Sequence, residues 1–311
     1  MPELPEVETV VAGLNQKVRG LIIKNVWADW SKYFKPHHSL AKFKKYVVGK
    51  KIIKATRHGK NILIELSNPL RRGQGKAGGH LLLIHQKMTG HLLVGKWQHN
   101  KKGDGRTKTS GFWQPQKPGP LLDPMNDFIH LMFFLSNGSQ LALSDVRKFA
   151  KVLCGPKKEI LKAEDVANLG PEPLAADFTF KKFQKLFENK KGKIKQVLMD
   201  QSFIVGIGNI YSDEILYKAK IHPLSRAEKL KASQFRALYL FIRKILKKAI
   251  KLRGTSIDDF RDTAGRKGKY GEVRMVYQKE GQKCPQGHII KRIKLGGRSG
   301  HFCPVEQRLY K

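Results

Sequence analysis

Cysteine is scarce in this sequence of 311 residues, and only Cys154, Cys284 and Cys303 are present. Three cysteines cannot build the disulfide framework of a small secreted protein. They predict a reducing compartment, meaning cytoplasm or nucleoid. The sequence therefore excludes the disulfide-rich class.

Long apolar runs are also missing. The longest, Leu81–Ile84 and Leu131–Leu135, are far shorter than the roughly 20 residues that span a bilayer. The first residues are acidic and proline-rich, without the basic and apolar regions of a signal peptide. We therefore expect neither a membrane location nor export.

Acidic residues are few: 25 Asp and Glu stand against 61 Lys and Arg, which gives a net charge of +36. A surplus of this size attracts polyanions over long distances. Nucleic acid is the first candidate partner, and an anionic membrane surface is the second. The 40% of hydrophobic residues still permits a buried core, and the length suits about two domains.

The periodicity of the apolar residues changes along the chain. Residues 7–18 follow the helical pattern, with Pro5 in the first turn and Gly20 as the stop. Alternating segments then predict short strands and a β-sandwich: Asn61–Leu66, Leu81–His85, His91–Val94, Phe128–Leu135 and Gln140–Leu143.

The second half has mainly helical patterns, which predict helices around 180–187, 194–198, 210–219 and 233–253. Residues 273–311 return to β character. The segment 96–127, rich in Gly, Pro, Lys and Gln, is interpreted as a long surface loop anchored by Trp97 and Trp113. A Lys-rich connector near Pro156–Ala163 separates the two halves.

Four places in the sequence have residues suited to chemistry. Removal of Met1 would leave Pro2 with a secondary amine, and α-amino groups have a pKa of about 7.7–8.0, so a useful fraction is nucleophilic near neutral pH. Glu3 follows and could move protons. Lys60 begins a strand. Gly206–Tyr211 predicts a helix N-terminus whose free N–H groups could bind phosphate, and Ser144–Phe149 combines an arginine with an aromatic wedge.

Several motifs together resemble one family. Met1–Thr9 looks like the N-terminal signature of formamidopyrimidine-DNA glycosylases, and the order of the later motifs also matches. These are Lys60, His85–Gly90, Asp145–Phe149, Leu169–Leu174, Met199–Gln201 with Gly206–Tyr211, and a final hairpin with Arg298 upstream of Cys303. The resemblance covers nearly the whole chain except 96–127.

The resemblance implies roles for individual residues. Pro2 would attack C1′ of the damaged nucleotide and Glu3 would act as general acid and base. Lys60 would contact the DNA backbone beside the lesion and assist proton transfer. Met88, Arg147 and Phe149 would fill the gap left by the extruded base. Lys190, Asn209 and Arg298 would contact phosphates. His130 is the one histidine kept from a His-X-His phosphate contact. Asp262–Tyr270, rich in Gly and Lys, lies where the family has a flexible loop that covers 8-oxoguanine.

The metal site departs from the family pattern of four cysteines. Each of its two knuckles keeps the first cysteine and loses the second, which leaves Cys284, His288, Cys303 and Glu306 as ligands for one zinc ion. His301 is a fifth candidate. The alternative is a zincless hairpin held by side-chain packing.

These observations predict an α+β protein. An N-terminal β-sandwich with flanking helices (1–155) precedes a helix–two-turns–helix domain (156–270) and a C-terminal, zinc-finger-like β-hairpin module (271–311). The expected function is a monomeric DNA glycosylase with AP lyase activity. It would remove oxidised purines from double-stranded DNA by β,δ-elimination through a Pro2 iminium. The alternatives are an endonuclease VIII-like preference for oxidised pyrimidines and a non-catalytic DNA-binding protein.

Overall fold

Strands predominate in the first half of the chain, and helices predominate in the second half until the final hairpin. The computed structural model describes residues 1–34, 39–67, 79–100, 112–257 and 259–311. Its α-helices are α1 Leu4–Lys17, α2 Leu40–Val47, α3 Lys157–Lys162, α4 Glu164–Ala167, α5 Phe180–Lys185, α6 Ile194–Met199, α7 Asn209–Lys218, α8 Ala232–Lys251 and α9 Tyr270–Val273. Its strands are β1 Ile23–Ala28, β2 Lys51–His58, β3 Asn61–Ser67, β4 His80–His85, β5 His91–Gly95, β6 Trp97–Asn100, β7 Phe112–Pro115, β8 Ile129–Leu135, β9 Gln140–Ser144, β10 Lys151–Pro156, β11 Lys291–Leu295 and β12 Arg298–Phe302.

The N-terminal strands form two antiparallel sheets of four strands each, with the orders β1-β8-β9-β5 and β10-β4-β3-β2. Alternate residues of both sheets, such as Phe133 and Leu143 in one and Ile64 and Ile84 in the other, share one apolar core. This is the packing of a sandwich, in which the two inner faces meet. The predicted sandwich is confirmed, as is every strand predicted in it.

Three strands of the sandwich were not predicted: β1, β2 and β10. The β2 sequence shows why, because its exposed residues include Lys51, Ile53 and Lys54 and a register shift interrupts its pairing with β3. A bulge of this kind breaks the period of two on which the sequence prediction depends.

Helix α1 lies with its apolar stripe in the sandwich core, as its spacing predicts. Val7, Val10, Leu14 and Val18 are almost fully buried. The chain turns after α1 at Gly20, whose φ of 86° is in the left-handed region that glycine adopts without strain. Helix α2 adds Phe43 and Val47 to the same core.

The segment predicted as a loop, 96–127, has structure of its own. Strands β6 and β7 pair as an antiparallel hairpin, and two 3₁₀ turns follow at Pro120–Leu122 and Pro124–Asn126. Trp97 is buried and Trp113 packs on the same cluster, so both aromatics do anchor the segment. The prediction of an irregular loop is wrong for these residues, and the residues 101–111 lie outside the described part of the chain.

The chain forms two compact units. The first consists of residues 1–2, 6–167 and 255–268, and the second of 3–5, 168–254 and 269–311. The second unit has a core rich in aromatic rings, where α5, α7 and α8 pack around Phe183, Phe187 and Tyr211. It ends in the hairpin of β11 and β12, so the predicted sandwich, helical and hairpin architecture is confirmed. Within 273–311, where β character was expected, the strands are β11 and β12, and isolated bridges join Lys283 to Ile289 and Ile221 to Arg308.

The predicted boundaries of the three domains, at 155/156 and 270/271, stay a prediction. The two compact units are a different division of the chain, by spatial contact. None of the helices in the described ranges is long and apolar enough to cross a bilayer.

Candidate active site

The carboxylate of Glu3 lies at the N-terminus of α7. Its Oε2 accepts hydrogen bonds from the backbone N–H of Gly208 at 2.6 Å and of Tyr211 at 3.3 Å, and its Oε1 accepts one from Ile210 at 2.8 Å. These are N–H groups that a helix leaves unpaired in its first turn, where negative charge is also favoured. Glu3 is thereby held in one orientation directly after Pro2, which is itself buried.

Two glycines make this arrangement possible. A Cβ on Gly208 would lie 2.6 Å from the Glu3 carboxyl carbon, and a Cβ on Gly206 would lie 2.6 Å from the Leu4 Cβ. The backbone therefore approaches the N-terminal segment as closely as only glycine allows. Our interpretation of this turn as a phosphate site is wrong for Gly208, Ile210 and Tyr211, because their N–H groups bind Glu3.

The side chain of Asn209, at the start of α7, faces a different group. Its Oδ1 is buried without a hydrogen-bond partner within the described ranges. Asn209 lines a cavity of about 300 Å³ together with Arg292, Arg298 and His301. Within those ranges the exposed Arg298 side chain has no ion-pair or hydrogen-bond partner either. The structure thus places Asn209 and Arg298, two predicted site residues, in one basic pocket.

A buried network joins the walls of this pocket. Lys195, only 1% exposed, donates hydrogen bonds to the Asn209 carbonyl at 3.2 Å, to Ser212 Oγ at 3.0 Å and to Asp213 Oδ1 at 2.6 Å. Asp213 Oδ2 accepts a hydrogen bond from the His301 N–H at 2.9 Å and lies 3.2 Å from its Nδ1. One buried ion pair therefore fixes α6, α7 and β12 relative to one another.

Sequence reasoning did not identify this network. In the sequence, Lys195 is one of several neighbouring lysines. The only feature that could have drawn attention to Asp213 is its position four residues after Asn209, on the same helix face. His301 was a candidate metal ligand, and that prediction is wrong because its Nδ1 faces Asp213.

Lys190 is not a free cation. Its Nζ lies 2.8 Å from Asp200 Oδ2 and over the ring of Phe203. Burial favours a higher pKa for Asp200, but hydrogen bonds from Lys190 and Ser202 outweigh it and lower this pKa. The charge of Lys190 is therefore already balanced in part.

Met88, Arg147 and Phe149 lie together, as the resemblance implies for the residues that fill the extruded base's place. The Arg147 guanidinium is 3.1 Å from Met88 Sδ and 4.5 Å from the centre of the Phe149 ring. Both apolar members are exposed, Met88 by 40% and Phe149 by 52%. Exposed apolar side chains beside an arginine form a surface suited to stacking with bases.

The buried carboxylate of Asp145 holds this surface. Thr89 Oγ1 donates a hydrogen bond to Asp145 Oδ1 at 2.5 Å, and the Ala150 N–H donates one to Oδ2 at 2.8 Å. Thr89 in turn accepts a hydrogen bond from the Arg147 N–H at 3.1 Å. The loops that carry Met88 and Arg147 are therefore linked through one carboxylate.

Lys60 and His130 lie elsewhere on the first unit. Lys60 is buried immediately before β3, near His85. Burial lowers the pKa of His85 to about 3, and the positive charges of Lys87 and Lys60 add to the effect. His130 lies 3.0 Å from both carboxylate oxygens of Asp29, so in this structure its partner is an acid.

The predicted zinc ligands form a cluster. The ligand atoms of Cys284, His288 and Cys303 all lie within 4.8 Å of one another, with the two sulfurs 3.7 Å apart and Cys284 Sγ 3.9 Å from His288 Nδ1. Tetrahedral zinc with Zn–S bonds of about 2.3 Å separates two sulfurs by about 3.8 Å. Glu306 borders the cluster, with Oε1 3.6 Å from His288 Nδ1. The residues present therefore fit a zinc ion.

Comparison with known proteins covers almost the whole chain. Residues 1–152 match the family model of the formamidopyrimidine-DNA glycosylase N-terminal domain, and residues 169–261 match that of its H2TH domain. A formamidopyrimidine-DNA glycosylase of Pelotomaculum thermopropionicum is 36% identical, and one of Heliobacterium modesticaldum is 37% identical. Both alignments cover 99% of this chain and 100% of the relative.

Solved structures of the same family are similar to this chain over nearly its whole length. A complex of Lactococcus lactis Fpg with DNA containing an abasic site has a TM-score of 0.79 and 32% identity, and the match covers 98% of this chain and 99% of that one. A complex of the wild-type Lactococcus lactis protein with DNA containing an oxidised pyrimidine has the same TM-score and identity, with 99% and 100% covered.

Proposed function

Because this chain belongs to the formamidopyrimidine-DNA glycosylase family, whose members are DNA glycosylases, we propose that it excises oxidised purines from duplex DNA and then nicks the strand at the resulting site. The substrates are 8-oxoguanine and formamidopyrimidines. The observation that carries this proposal is the Glu3 carboxylate, held by three backbone N–H groups directly after Pro2.

The proposed reaction begins at the amine of Pro2, after removal of Met1. Its lone pair attacks C1′ of the damaged nucleotide, and the bond from C1′ to the base breaks as the base leaves with a proton. Opening of the sugar ring gives an iminium between Pro2 and C1′. This iminium acidifies the neighbouring C–H bonds, so that β- and δ-elimination release the 3′ and 5′ phosphates.

Glu3 is the general acid and base in this scheme. A carboxylate that exchanges protons with a reacting group must be held within hydrogen-bond reach of it. The three bonds at the α7 N-terminus supply that fixed position, since Glu3 is the next residue after the nucleophile. Lys60 assists from the start of β3 by contacting the backbone beside the lesion.

The pocket of Asn209 and Arg298 is proposed to bind a phosphate beside the flipped nucleotide. Arg298 supplies a cation without a competing acid in the described part of the chain, and Asn209 supplies a buried polar group without a partner there. Met88, Arg147 and Phe149 would occupy the space of the extruded base, where an enzyme must replace lost stacking. Lys190 and His130 are further, weaker phosphate contacts, because each already pairs with an acid.

The contribution of Arg298 to DNA binding can be measured by salt dependence. We expect Arg298→Ala to flatten the slope of log K against log salt by about 0.9, the value for one phosphate contact on B-DNA. Lys190→Ala should change it by less than about half a unit, because Asp200 already neutralises part of its charge. Equal changes in the two variants, read by fluorescence anisotropy on abasic DNA, would contradict this assignment of the phosphate site.

We propose further that one zinc ion is bound by Cys284, His288 and Cys303, with Glu306 as the fourth ligand. Zinc bound there would stabilise the turns beside the β11–β12 hairpin, as structural zinc does in other small modules. The hairpin also carries Arg298, so its fold positions a DNA-binding residue.

Zinc content tests this proposal. Elemental analysis of the purified protein should give close to one zinc per chain, and His288→Ala should lower this value and the melting temperature. Cys154→Ser is the matched control, because Cys154 lies in the sandwich core and its replacement should leave the zinc content unchanged. Less than about 0.2 zinc per chain in the unmodified protein would exclude the metal.

One structural neighbour gives a reason to test a second substrate class. A wild-type Lactococcus lactis Fpg structure contains an oxidised-pyrimidine DNA. Duplexes that each carry one lesion, assayed for strand cleavage, separate the purine and pyrimidine alternatives. Borohydride trapping on abasic DNA separates an enzyme from a non-catalytic binder. We propose a monomer that acts on chromosomal DNA in a bacterial cytoplasm.

A further inference from the structure

Helix α8 has a strongly basic outer side. Its sequence, Ala232–Lys251, contains no aspartate or glutamate. All the lysines of the helix are exposed, and together they form what we call the basic stripe: Lys244, Lys247, Lys248 and Lys251. Their spacing of three and four residues places them within about 100° of the helix circumference, so they share one face.

The opposite side of α8 is buried. It belongs to the aromatic-rich core of the second unit, where the helix packs on α5 and α7 through Leu238, Ile242, Ile245, Leu246 and Ala249. Asn209, the first residue of α7, lines the pocket that also contains Arg298, and among the described residues of that pocket none belongs to α8. The basic stripe is therefore a surface separate from the phosphate pocket.

The basic stripe lacks counter-ions. Within the described ranges, none of its ammonium groups has an ion-pair or hydrogen-bond partner. Lys244 and Lys248 are four residues apart, as are Lys247 and Lys251, and like charges at this spacing destabilise a helix. The helix dipole favours Lys248 and Lys251 in the last turn, but its effect does not extend to the preceding turn. The concentration of charge therefore suits an anionic partner better than it suits the helix alone.

The spacing of the charges fits a DNA strand. From Lys244 to Lys251 the helix axis extends about 10 Å, which separates the four charges by about 3.5 Å on average. The phosphates of one strand of B-DNA follow one another at about 3.4 Å of axis. A membrane surface fits less well, because a helix that binds one exposes an apolar face. Within α8, all of which the structure describes, Leu240 is the one large apolar side chain that is exposed.

We propose that the basic stripe of α8 binds a second segment of duplex DNA while the pocket of Asn209 and Arg298 binds the first. This inference goes beyond the proposed function, because no chemistry takes place on the second duplex. Contacts to phosphates carry no sequence information, so any duplex is a partner. A protein that binds two segments at once passes from one to the other without being free in solution, which shortens a search for rare lesions.

Retention of a second duplex tests the proposal. Beads carry an excess of a duplex with a stable abasic-site analogue, the protein is bound to it, and a fluorescent undamaged duplex is added. The wild-type protein should retain about one fluorescent duplex per chain at low salt. Replacement of all four lysines of the stripe by glutamine should lower this retention at least about tenfold and change affinity for the first duplex less than about threefold. Glutamine removes the charge and remains a good helix former.

Two further variants serve as controls. Replacement of the same four lysines by arginine keeps the charge and should keep the second duplex bound. The matched control replaces four exposed lysines on β1, α2 and α3 by glutamine: Lys24, Lys42, Lys45 and Lys158. It lowers the net charge by the same amount, and it should change retention of the second duplex by less than about twofold, because dispersed charges do not follow a DNA strand.

Dissociation kinetics give a second readout. The labelled abasic duplex is released from the protein in the presence of rising concentrations of unlabelled duplex. For the wild-type protein the rate of release should rise with that concentration, because the second duplex is bound before the first one leaves. For the glutamine variant of the stripe the rate should stay constant.

Each other result would contradict the second site. Equal losses of first and second duplex in the glutamine variant would make the stripe part of a single DNA interface, and unchanged retention would make it a solvated helix face. Two chains per complex in sedimentation velocity would assign the bridging to a pair of proteins. Stripe-dependent binding of phosphatidylcholine–phosphatidylserine vesicles, without retention of a duplex, would indicate a membrane. A wild-type protein that retains two duplexes and cleaves no lesion would refute the proposed function and leave this inference standing.

Discussion

Pro2→Gly is expected to lower the yield of borohydride-trapped adduct on abasic DNA by about a hundredfold, while binding of the same DNA changes by less than about threefold. Glycine keeps an amine at the N-terminus, but this amine is primary and free to rotate, whereas the proline ring fixes the direction of its lone pair. Misplacement of a reacting atom by about 1 Å is enough for a loss of this size. Binding is expected to depend instead on phosphate contacts such as the one proposed for Arg298.

The control for this prediction is Lys60→Gln. Lys60 is the other amine that the resemblance associates with the reaction, and lysines also form Schiff bases with sugar aldehydes. If Lys60 were the nucleophile, its replacement would abolish trapping and Pro2→Gly would not. A parallel loss of trapping and binding in Pro2→Gly would mean that the residue supports DNA binding only. Mass spectrometry of the trapped peptide identifies the linked residue directly.

Glu3→Gln should reduce base excision by about 10²- to 10⁴-fold, the usual contribution of a general acid or base. It should also reduce stability by about 1–3 kcal/mol, because both Glu3 oxygens accept backbone hydrogen bonds and an amide group offers only one oxygen. The amide nitrogen would face an N–H donor at the start of α7. Single-turnover excision and chemical denaturation measure the two effects separately.

Glu6→Gln provides a matched control for the effect on stability. Glu6 is a buried carboxylate in the first turn of α1, and its Oε1 accepts a hydrogen bond from the Thr255 N–H at 2.6 Å. Its replacement should cost a similar free energy of unfolding and leave most of the excision activity. If the Glu3→Gln protein is less stable but excises bases at the wild-type rate, Glu3 acts only as a helix cap. That result would contradict its role in proton transfer.

The sequence predicted most of the elements that carry the proposed site. The apolar spacing of α1 and α8 and the alternation in β3, β4, β5, β8 and β9 were sufficient, because each pattern records the face that an element buries. The Pro2–Glu3 pair needed no structure, since the residues are adjacent in the chain. The cluster of Cys284, His288 and Cys303 was also predictable, because its ligands lie in two short knuckles.

Apart from the irregular loop expected at 96–127, the predictions that were wrong concern hydrogen-bonding partners. The free N–H groups expected at Gly208 and Ile210 are bound by Glu3, and the imidazole of His301 faces Asp213 rather than the cysteines. In each case the sequence supplied a correct donor or acceptor and an incorrect partner. A polar group shows its chemistry in the sequence, but its partner depends on which elements pack together.

The sequence by itself determined the charge of this protein, the class of its polyanionic partner, the strand and helix patterns and the residues that resemble a glycosylase signature. Only the tertiary structure decided that Glu3 meets a helix terminus about 205 positions away, that Lys195 and Asp213 form a buried pair, and that Asp123 holds Arg261 across 138 positions. Local patterns report burial because periodicity follows from backbone geometry. Contacts between distant residues depend on the packing of whole elements, and a single sequence does not encode that packing in any local pattern.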